Sequence, residues 1–331
     1  MKAYLLRRFL LIVPTFIGIS LITFAIIQLA PGSPIYFKLR GVEGSLRAER
    51  DTQEVIEQTK ALYGLDKPLP VQYVRWLGRL VTLDFGNSLK DQRPVLDKIR
   101  DALPITLQLN ILSIFLIYLI SIPIGVYSAT HQGTATDSGL TLGLFILYSL
   151  PTFWVAMLLI MFLGGGQWLN WFPVHGLNST GADAWPWGRW FIDRLWHMAL
   201  PVFCMTYGGF AGLSRYMRAG MLDTVRQDYI RTARAYGFSE RVVIYKYAMR
   251  NSLIPIITLL GGLLPAMIGG SVIIESIFSI PGMGWLGFDA VLSRDYPLIM
   301  GIFAISALLT LAGLILSDIL YALVDPRIRL E

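Results

Sequence analysis

Residues 105–129 read ITLQLNILSIFLIYLISIPIGVYSA and contain no charged side chain. An α-helix rises about 1.5 Å per residue, and the hydrocarbon core of a bilayer, about 30 Å thick, needs roughly 20 apolar residues of helix. The stretch is therefore long enough to cross a membrane. It predicts a transmembrane helix, and the rest of the chain repeats the pattern.

Five other stretches have the same character. Residues 9–30 follow a basic start and could be a cleaved signal peptide, but their apolar run exceeds the usual length of about 7–15 residues and no small-residue cleavage site follows. We interpret them as an uncleaved span. The sequence therefore predicts an all-α polytopic membrane protein with six transmembrane helices, the remaining stretches being 139–163, 198–214, 252–274 and 298–317.

The composition supports a membrane protein and excludes two other classes. Of 331 residues, 54% are hydrophobic and only 15% are charged, whereas soluble domains carry about 25% charged residues. Intrinsic disorder requires low hydrophobicity. Cys204 is the only cysteine, so a scaffold of intrachain disulfides is excluded.

Lysine and arginine in short loops mark the cytoplasmic side of a membrane protein. The net charge is +6, and basic residues are concentrated in 1–8 and 215–250. With six spans these two segments share one side with the C-terminus, so we expect both termini in the cytoplasm of a bacterial cell, with the chain in its inner membrane. We interpret the charge as an orientation signal and not as a nucleic-acid site. The basic residues of the second segment are Arg215, Arg218, Arg226, Arg231, Arg234, Arg241, Lys246 and Arg250.

Two loops are expected on the opposite side. Residues 31–103 hold 12 basic and 10 acidic residues with helical patterning, which indicates a small ordered extracytoplasmic segment. Residues 164–197 form a second outer loop with six tryptophans. Tryptophan prefers the headgroup region, so we expect several of them along the membrane surface; an aromatic ligand site is the alternative.

The sequence lacks the motifs of catalysis or metal binding. No phosphate-binding G-x-x-x-x-G-K-[ST] loop occurs, and His131, His175 and His197 have no ligand-like spacing. We therefore expect no enzyme activity, no metal and no cofactor in this chain, and we interpret His197 as a membrane-interface residue. Glu275 and Asp318 are the acids nearest the spans; both are placed at span ends, within reach of water or arginine. Because no acid lies centrally, the energy source is expected outside this polypeptide.

The basic segment contains a candidate docking helix. Residues 223–236, DTVRQDYIRTARAY, predict one short helix that starts at Asp223 and stops at Gly237. Tyr229, Ala233 and Gly237 recur every four residues, which gives a face of one aromatic and two small residues that another surface can approach closely. On spacing alone, a solvated basic loop that only fixes orientation is an equal alternative.

The fifth span is unusually rich in helix breakers. Proline removes a backbone hydrogen bond, and glycine lets helices bend or pack closely. Tight packing is one interpretation; lining of a gated pathway is the other. The residues are Pro255, Gly261, Gly262, Pro265, Gly269 and Gly270.

Several motifs resemble one transporter family. They include the opening RRFLLIVPTFIGISLITFAIIQLAPGSP, LYGLDKPLPVQYVRWLGRLVTLDFGNSL, DYIRTARAYGFSERVVIYKYAMRNSLIPIIT and ESIFSIPGMGWLGFDAVLSRDYPLIMG. These resemble the peptide/nickel-type permeases of ABC importers, and they extend over almost the whole chain. The match is weakest at 164–197.

The resemblance implies partners and a mode of action. A type I importer permease of this family would pair with a second homologous permease, two cytoplasmic ATPase subunits that bind ATP and Mg²⁺, and an extracytoplasmic solute-binding protein. Its coupling signature would fall on Tyr229, Ile230, Ala233, Arg234, Ala235 and Gly237. Importers at large have Glu-Ala-Ala where this chain has Arg231, Thr232 and Ala233, so no acid at position 231 can contact the ATPase.

The resemblance also divides the chain and suggests a cargo. The expected units are an N-terminal segment with the first span (1–30), the outer segment (31–103), an ABC-type transmembrane domain (104–323) with its coupling loop (215–250), and a cytoplasmic tail (324–331). The expected function is ATP-driven import of dipeptides or oligopeptides. Import of nickel or a nickel chelate, and an ion-coupled secondary transporter, are the alternatives.

Overall fold

The structure, a computed structural model, describes residues 2–29, 67–164, 168–263 and 265–324. In these ranges the regular elements are helices, with one isolated β-bridge between Asn87 and Pro94. Much of the predicted outer segment (31–66) and most of the predicted tail (325–331) lie outside the described residues.

Three long helices come from the beginning, the middle and the end of the described chain. They are α1 (Lys2–Leu29), α3 (Val95–Thr130) and the last helix, α12 (Tyr296–Val324). Among the described residues, Val95–Thr130 and Tyr296–Ile319 are single helices long and apolar enough to cross a membrane. α1 packs on α12 and on the amphipathic helix α2 (Leu69–Val81), where Phe16, Trp76 and Met300 share one buried cluster.

The third predicted span, 139–163, is broken instead of straight. α4 (Ala135–Ser149) and α5 (Thr152–Leu159), which continues as a π-helical turn at Ile160–Gly164, meet at an angle of 94°. The break fits the local sequence: Leu150 precedes Pro151 and is extended, and the helical conformation is disfavoured for the residue before a proline. The same step at Pro123 leaves α3 continuous, so the proline favours the break without being sufficient for it. The pair is therefore one broken span or a re-entrant element, and not the continuous helix that its apolar run predicts.

The predicted fourth span lies inside a much longer helix. α6 (Trp187–Val225) runs for 39 residues and packs along α3. A Cβ atom on Gly125 of α3 would lie 2.5 Å from Met217 Cβ and 2.6 Å from Ser214 O. Only glycine allows this approach, which matches the use of small residues at helix contacts in membranes.

The fifth predicted span is divided into three helical pieces. α9 (Met249–Leu263) is followed by a 3₁₀ turn at Pro265–Ile268 and by α10 (Val272–Ile277). The amide of Asn110 on α3 donates to Met267 O at 2.5 Å. Broken helices survive at membrane depth only when neighbours bind the freed backbone groups, and α3 provides such a donor here.

Short helices complete the chain. α7 (Asp228–Ala235) and α8 (Glu240–Val242) lie in the basic segment, and α8 passes through a π-helical stretch, Val243–Ala248, into α9. α11 (Met283–Leu292) packs between the start of α3 and α12. The described part of the chain thus has two ends: one at α7–α8, and a second built from α2, α11 and the 168–186 loop. We name the second one the outer end after the side of the membrane that the sequence predicts for it.

Candidate functional site

The candidate coupling helix is shorter than predicted and starts later. Asp223 belongs to the last turn of α6, and a break at Arg226–Gln227 separates it from α7. The end is as predicted: Gly237 has φ +79°, Gly237 N–H donates to Arg234 O at 2.9 Å, and Phe238 N–H donates to Ala233 O at 3.3 Å. This is the glycine-dependent Schellman ending of a helix.

The predicted face of Tyr229, Ala233 and Gly237 is not one open surface. Ala233 is buried with Ile230 against the π-helical stretch, next to Val243. Tyr229 is partly exposed, and its hydroxyl accepts a 2.7 Å hydrogen bond from Asn251 Nδ2. The small size of Ala233 therefore serves close packing inside this chain.

The outward side of the coupling helix is basic and aromatic. Arg231, Arg234 and Ala235 are exposed, and Tyr236 is 79% exposed. The Arg234 guanidinium binds Glu240 through Nε–Oε1 at 2.8 Å and Nη2–Oε2 at 3.3 Å, which joins α7 to α8. This side, and not the Ala233 side, is free to meet another protein among the described residues.

The candidate coupling helix α7 is connected to α6 and α9. Ser252 at the start of α9 donates to Gly220 O at 3.0 Å and lies 2.9 Å from Thr224 Oγ1, both on α6. Ile230 of α7 and Met221 of α6 are in the same buried cluster. A displacement of α7 would therefore be passed to α6 and α9 together.

The helix-breaking residues divide into two groups. Pro255, Gly261 and Gly262 lie within α9, which continues through them as helix. Pro265 begins the 3₁₀ turn, and Gly269 and Gly270 occupy the non-helical link before α10. Gly270 has φ +62°, so the interruption of the span is at Pro265–Gly270.

Glu275 is a buried, hydrogen-bonded carboxylate that the sequence analysis does not predict. It was placed at a span end within reach of water or arginine, which is wrong: it is 1% exposed. Its carboxylate accepts hydrogen bonds from Trp285 N–H at 2.7 Å, Ser271 N–H at 3.2 Å and Thr106 Oγ1 at 3.2 Å. It thus joins α10, the start of α11 and α3.

Three glycines make room for this carboxylate. A Cβ atom on Gly270 or Gly282 would lie 2.5–2.7 Å from Glu275 oxygens, and one on Gly284 would lie 3.0 Å from Oε2 and 2.7 Å from Val272 N. Thr106 Oγ1 also accepts from Met283 N–H at 2.8 Å. The sequence contains a sign of this buried carboxylate, because glycines occur on both sides of a single acid. That these glycines pack around the carboxylate could be seen only in the folded structure.

Asp295 is a second buried acid at the outer end. Ser88 Oγ donates to its carboxylate, and Leu89 N–H donates to Oδ1 at 3.0 Å. Lys98 Nζ donates to Ser88 Oγ at 3.2 Å and to Asp91 at 2.8 Å. Burial alone would raise the pKa of Asp91, but the hydrogen bonds from Lys98 and Ser88 outweigh it and lower that pKa to about 2.

The 168–186 loop is held by charged and polar side chains. His197 is buried, with Nε2 3.3 Å from Ser179 Oγ and 3.6 Å from Asp193 Oδ1. It therefore does not face lipid directly, and its position at the depth of the membrane interface stays a prediction. Burial tends to raise the pKa of Asp193, but hydrogen bonds from Ser179 and Asn178 lower it overall. Arg194 of α6 donates from Nη1 to Asn178 Oδ1 of the loop at 2.8 Å and from Nε to Gln108 Oε1 of α3 at 2.7 Å, so it joins the loop to α3.

The tryptophans of the outer loop are largely solvent-accessible. Trp168, Trp171 and Trp187 are among the most exposed large side chains, and Trp196 donates from Nε1 to Trp171 O at 2.8 Å. This placement is compatible with a membrane-surface position, which stays a prediction. Among the described residues, no three His, Cys, Asp or Glu side chains lie close enough to hold a metal ion.

Comparison with known families gives two matches. Residues 121–330 match the model described as "Binding-protein-dependent transport system inner membrane component". Residues 1–110 match the model of the N-terminal part of such membrane components. Together they account for nearly the whole chain.

Three curated relatives match from end to end. The chain is 42% identical over 330 residues to the oligopeptide transport system permease protein AppB of Bacillus subtilis (strain 168), with 99% of this chain and all of that protein covered. It is 37% identical to the inner membrane ABC transporter permease protein YejB of Escherichia coli O157:H7, with both chains fully covered. It is 36% identical to the dipeptide transport system permease protein DppB of Escherichia coli (strain K12), with 99% of each chain covered.

One solved structure gives the architecture. A chain of the inward-facing MetNI methionine ABC transporter superposes with a TM-score of 0.52 at 14% sequence identity, covering 70% of this chain and 97% of that one. At this identity the likeness shows the fold alone. The fold is that of a type I ABC importer permease, as the sequence motifs predict.

Proposed function

The chain belongs to the inner-membrane components of binding-protein-dependent transport systems, and from this premise we propose that it forms half of the pathway through which an ABC importer takes up dipeptides or oligopeptides. It is a polytopic helical permease subunit of the inner membrane. The observation that carries the cargo assignment is the end-to-end match with permeases named for oligopeptides and dipeptides. None of the three relatives described above is named for nickel, so the nickel alternative is not favoured.

The proposed mechanism divides the work between subunits. ATP and Mg²⁺ bind to two cytoplasmic ATPase subunits, the solute-binding protein delivers peptide on the outer side, and a second homologous permease completes the pathway. This chain performs no bond chemistry. The basic, aromatic side of α7 sits on an ATPase subunit, and ATP-driven closure of the ATPases moves α6 and α9 through the Ser252 and Ile230 contacts. Coupling requires that the two ATPase states contact α7 differently.

Ion coupling is disfavoured by the same geometry. The buried acids Glu275 and Asp295 would be candidates for a proton relay. However, each carboxylate is bound by donors of this chain, Glu275 by Thr106 and two backbone N–H groups. They are therefore assigned to structure, and ATP hydrolysis in the partner subunits supplies the energy.

The test is uptake by the complete complex in proteoliposomes. With the binding protein outside and Mg·ATP inside, a labelled dipeptide or tripeptide should accumulate, and vanadate should stop it. A proton ionophore should leave uptake unchanged. Uptake of labelled nickel in place of peptide would contradict the proposed cargo, and peptide uptake without ATP would contradict the proposed energy source.

A further inference from the structure

A polar pocket lies where the α3–α4 turn meets the last turns of α6. It is an open depression of about 480 Å³ on the surface of this chain, and its polar lining includes Gln132, Asp137, Ser138, Thr141 and Arg218. A smaller cavity beside it shares Thr141, Phe145 and Arg218 and adds Arg215. Nothing in the transport mechanism above uses this pocket.

The charges of the pocket are set by two arginines and one acid. Arg218 Nη2 binds Asp137 Oδ2 at 2.7 Å, and Gly133 N–H donates to the same oxygen at 3.1 Å. The Arg215 guanidinium lies 5.2 Å from the centre of the Phe145 ring. Two positive groups and one negative group leave a net charge of +1, which complements one phosphodiester.

Two buried polar atoms of the pocket lack a partner in the described part of the chain. They are Asp137 Oδ1 and Arg218 Nε. Asp137 is 3% exposed, and leaving a buried polar atom without a hydrogen bond is costly. The described part of the chain therefore does not satisfy every polar atom of this ion pair. A phosphate could not satisfy Asp137 Oδ1, which is itself an acceptor, so the role of Asp137 in the pocket is to hold Arg218 in place.

The pocket borders an apolar surface. Leu142, Phe145 and Ile146 of α4 are all exposed, Leu142 by 62%. The pocket also lies at the end of α3 and one or two turns after the apolar part of α6, where the predicted spans end. A phosphate placed against the arginines would thus lie at headgroup depth, with acyl chains along α4.

We propose that this pocket binds the phosphodiester headgroup of an anionic membrane phospholipid. The exposed Arg215 supplies the main contact to the phosphate, the partly exposed Arg218 adds a second positive charge, and Ser138 and Thr141 offer hydroxyl donors. Asp137 fixes Arg218 in place. Basic pockets between transmembrane helices are a recurrent way of holding lipid headgroups. The bound lipid would tie α4 to α6, since both helices line the pocket.

The experiment measures the thermal midpoint of the complete complex in detergent during titration with dioctanoyl-phosphatidylglycerol. Dioctanoylglycerol supplies the same chains without phosphate, and inorganic phosphate supplies the anion without chains. The test variant is Arg215→Gln, which leaves the Arg218–Asp137 pair intact. The matched control is Arg226→Gln, an exposed arginine just past the end of α6.

The phospholipid should raise the midpoint, and the two partial ligands should have little effect. Arg215→Gln should weaken the apparent affinity about fivefold, in keeping with the loss of one basic contact to an anionic lipid, and Arg226→Gln should leave it unchanged. Equal stabilisation by dioctanoylglycerol would show only an apolar groove, and equal stabilisation by inorganic phosphate would show a soluble-anion site. Binding that appears only after the ATPase subunits are removed would identify a protein interface. Each of these three results would overturn the proposal.

Discussion

At the scale of single residues, two buried carboxylates decide how the outer end is assembled. Glu275 accepts hydrogen bonds from the backbone N–H groups of Ser271 and Trp285, and Asp295 accepts one from Leu89. Each carboxylate therefore binds backbone groups of segments that are separate in the sequence. A buried charge is stable only if it is hydrogen-bonded throughout, and both acids accept from backbone N–H groups and from a hydroxyl. Each is therefore a point at which one substitution should affect several elements.

Glu275→Gln should destabilise the protein. The amide keeps the shape but loses the charge, and its NH₂ group would face backbone donors from Ser271 and Trp285. Hydrogen bonds to a charged group contribute about 1.5–3 kcal/mol, so we expect a clear drop in the thermal midpoint in detergent. Asp183→Asn, in the exposed outer loop, is the control that should leave the midpoint unchanged. Equal midpoints for wild type and Glu275→Gln would contradict the assigned role.

The Asp91–Lys98 pair should make stability depend on pH in the acid range. The folded-state pKa of Asp91, about 2, lies below its ordinary value of 3.8, so the ionised acid stabilises the folded state. This contribution is fully present above pH 4 and is lost as the pH falls towards 2. Lys98→Gln should therefore lower the midpoint at pH 6, and the difference from wild type should shrink between pH 4 and 2.

Arg93→Gln is the matched control for this pH series. Arg93 pairs with Asp101 at 2.9 Å, but both side chains are more than half exposed, and such surface pairs contribute little. Its midpoint should follow that of wild type at every pH. If Lys98→Gln and Arg93→Gln gave the same profile, the buried position of Lys98 would not be the cause.

At the scale of elements, the coupling helix shows what sequence spacing can and cannot predict. The helix, its glycine stop and its basic character follow from local residue types. The direction in which Ala233 points does not, because a small residue suits a docking surface and an internal contact equally well. Burial of Ile230 on the same side decides for the internal contact, and only the positions of Val243 and Met221 reveal it.

Ala235→Arg and Ala233→Arg should therefore have different effects. Ala235 is exposed on the outward side, so the substitution should leave folding intact while it reduces ATPase binding and peptide-stimulated ATP hydrolysis at least tenfold. Ala233→Arg would force a charge into the cluster of Ile230 and Val243, which should lower the yield of folded protein. Size-exclusion profiles, co-purification of the ATPase subunits and ATP hydrolysis separate the two effects. Normal hydrolysis in Ala235→Arg would place docking elsewhere.

In the predicted spans too, some features follow from the local sequence and others depend on contacts with neighbouring helices. Residues 105–129 and 298–317 lie within single helices, and the first of them continues through Pro123. The run 139–163 looks equally apolar, but its direction changes by 94° at Pro151. Apolar length predicts membrane residence; the path of the backbone inside the membrane also depends on neighbours, such as Asn110 for the break near Met267.

At the scale of the whole molecule, distant motifs of the sequence prove to be neighbours. The segment around Ser88 and the segment around Asp295 are 207 positions apart, yet they share one buried network. Both occur in motifs that the family resemblance picks out, although residue types alone do not show that they meet. The architecture and the family could be predicted from the sequence; the buried contacts between its motifs required the fold.

The proposed orientation, with α7 in the cytoplasm and the tryptophan loop outside, can be tested with single thiols. Cys204 is the one native cysteine and is buried, so a membrane-impermeant maleimide should not label wild type. Thr180→Cys, in the exposed outer loop, should be labelled in intact spheroplasts. Ser239→Cys, exposed just before α8, should be labelled only after the membrane is opened, since basic loops stay on the cytoplasmic side. A third sample labelled in SDS gives the total amount of thiol. If Ser239→Cys were labelled in intact spheroplasts and Thr180→Cys were not, the orientation would be the opposite of the proposed one, and the ATPases would have to bind on the other side of this chain.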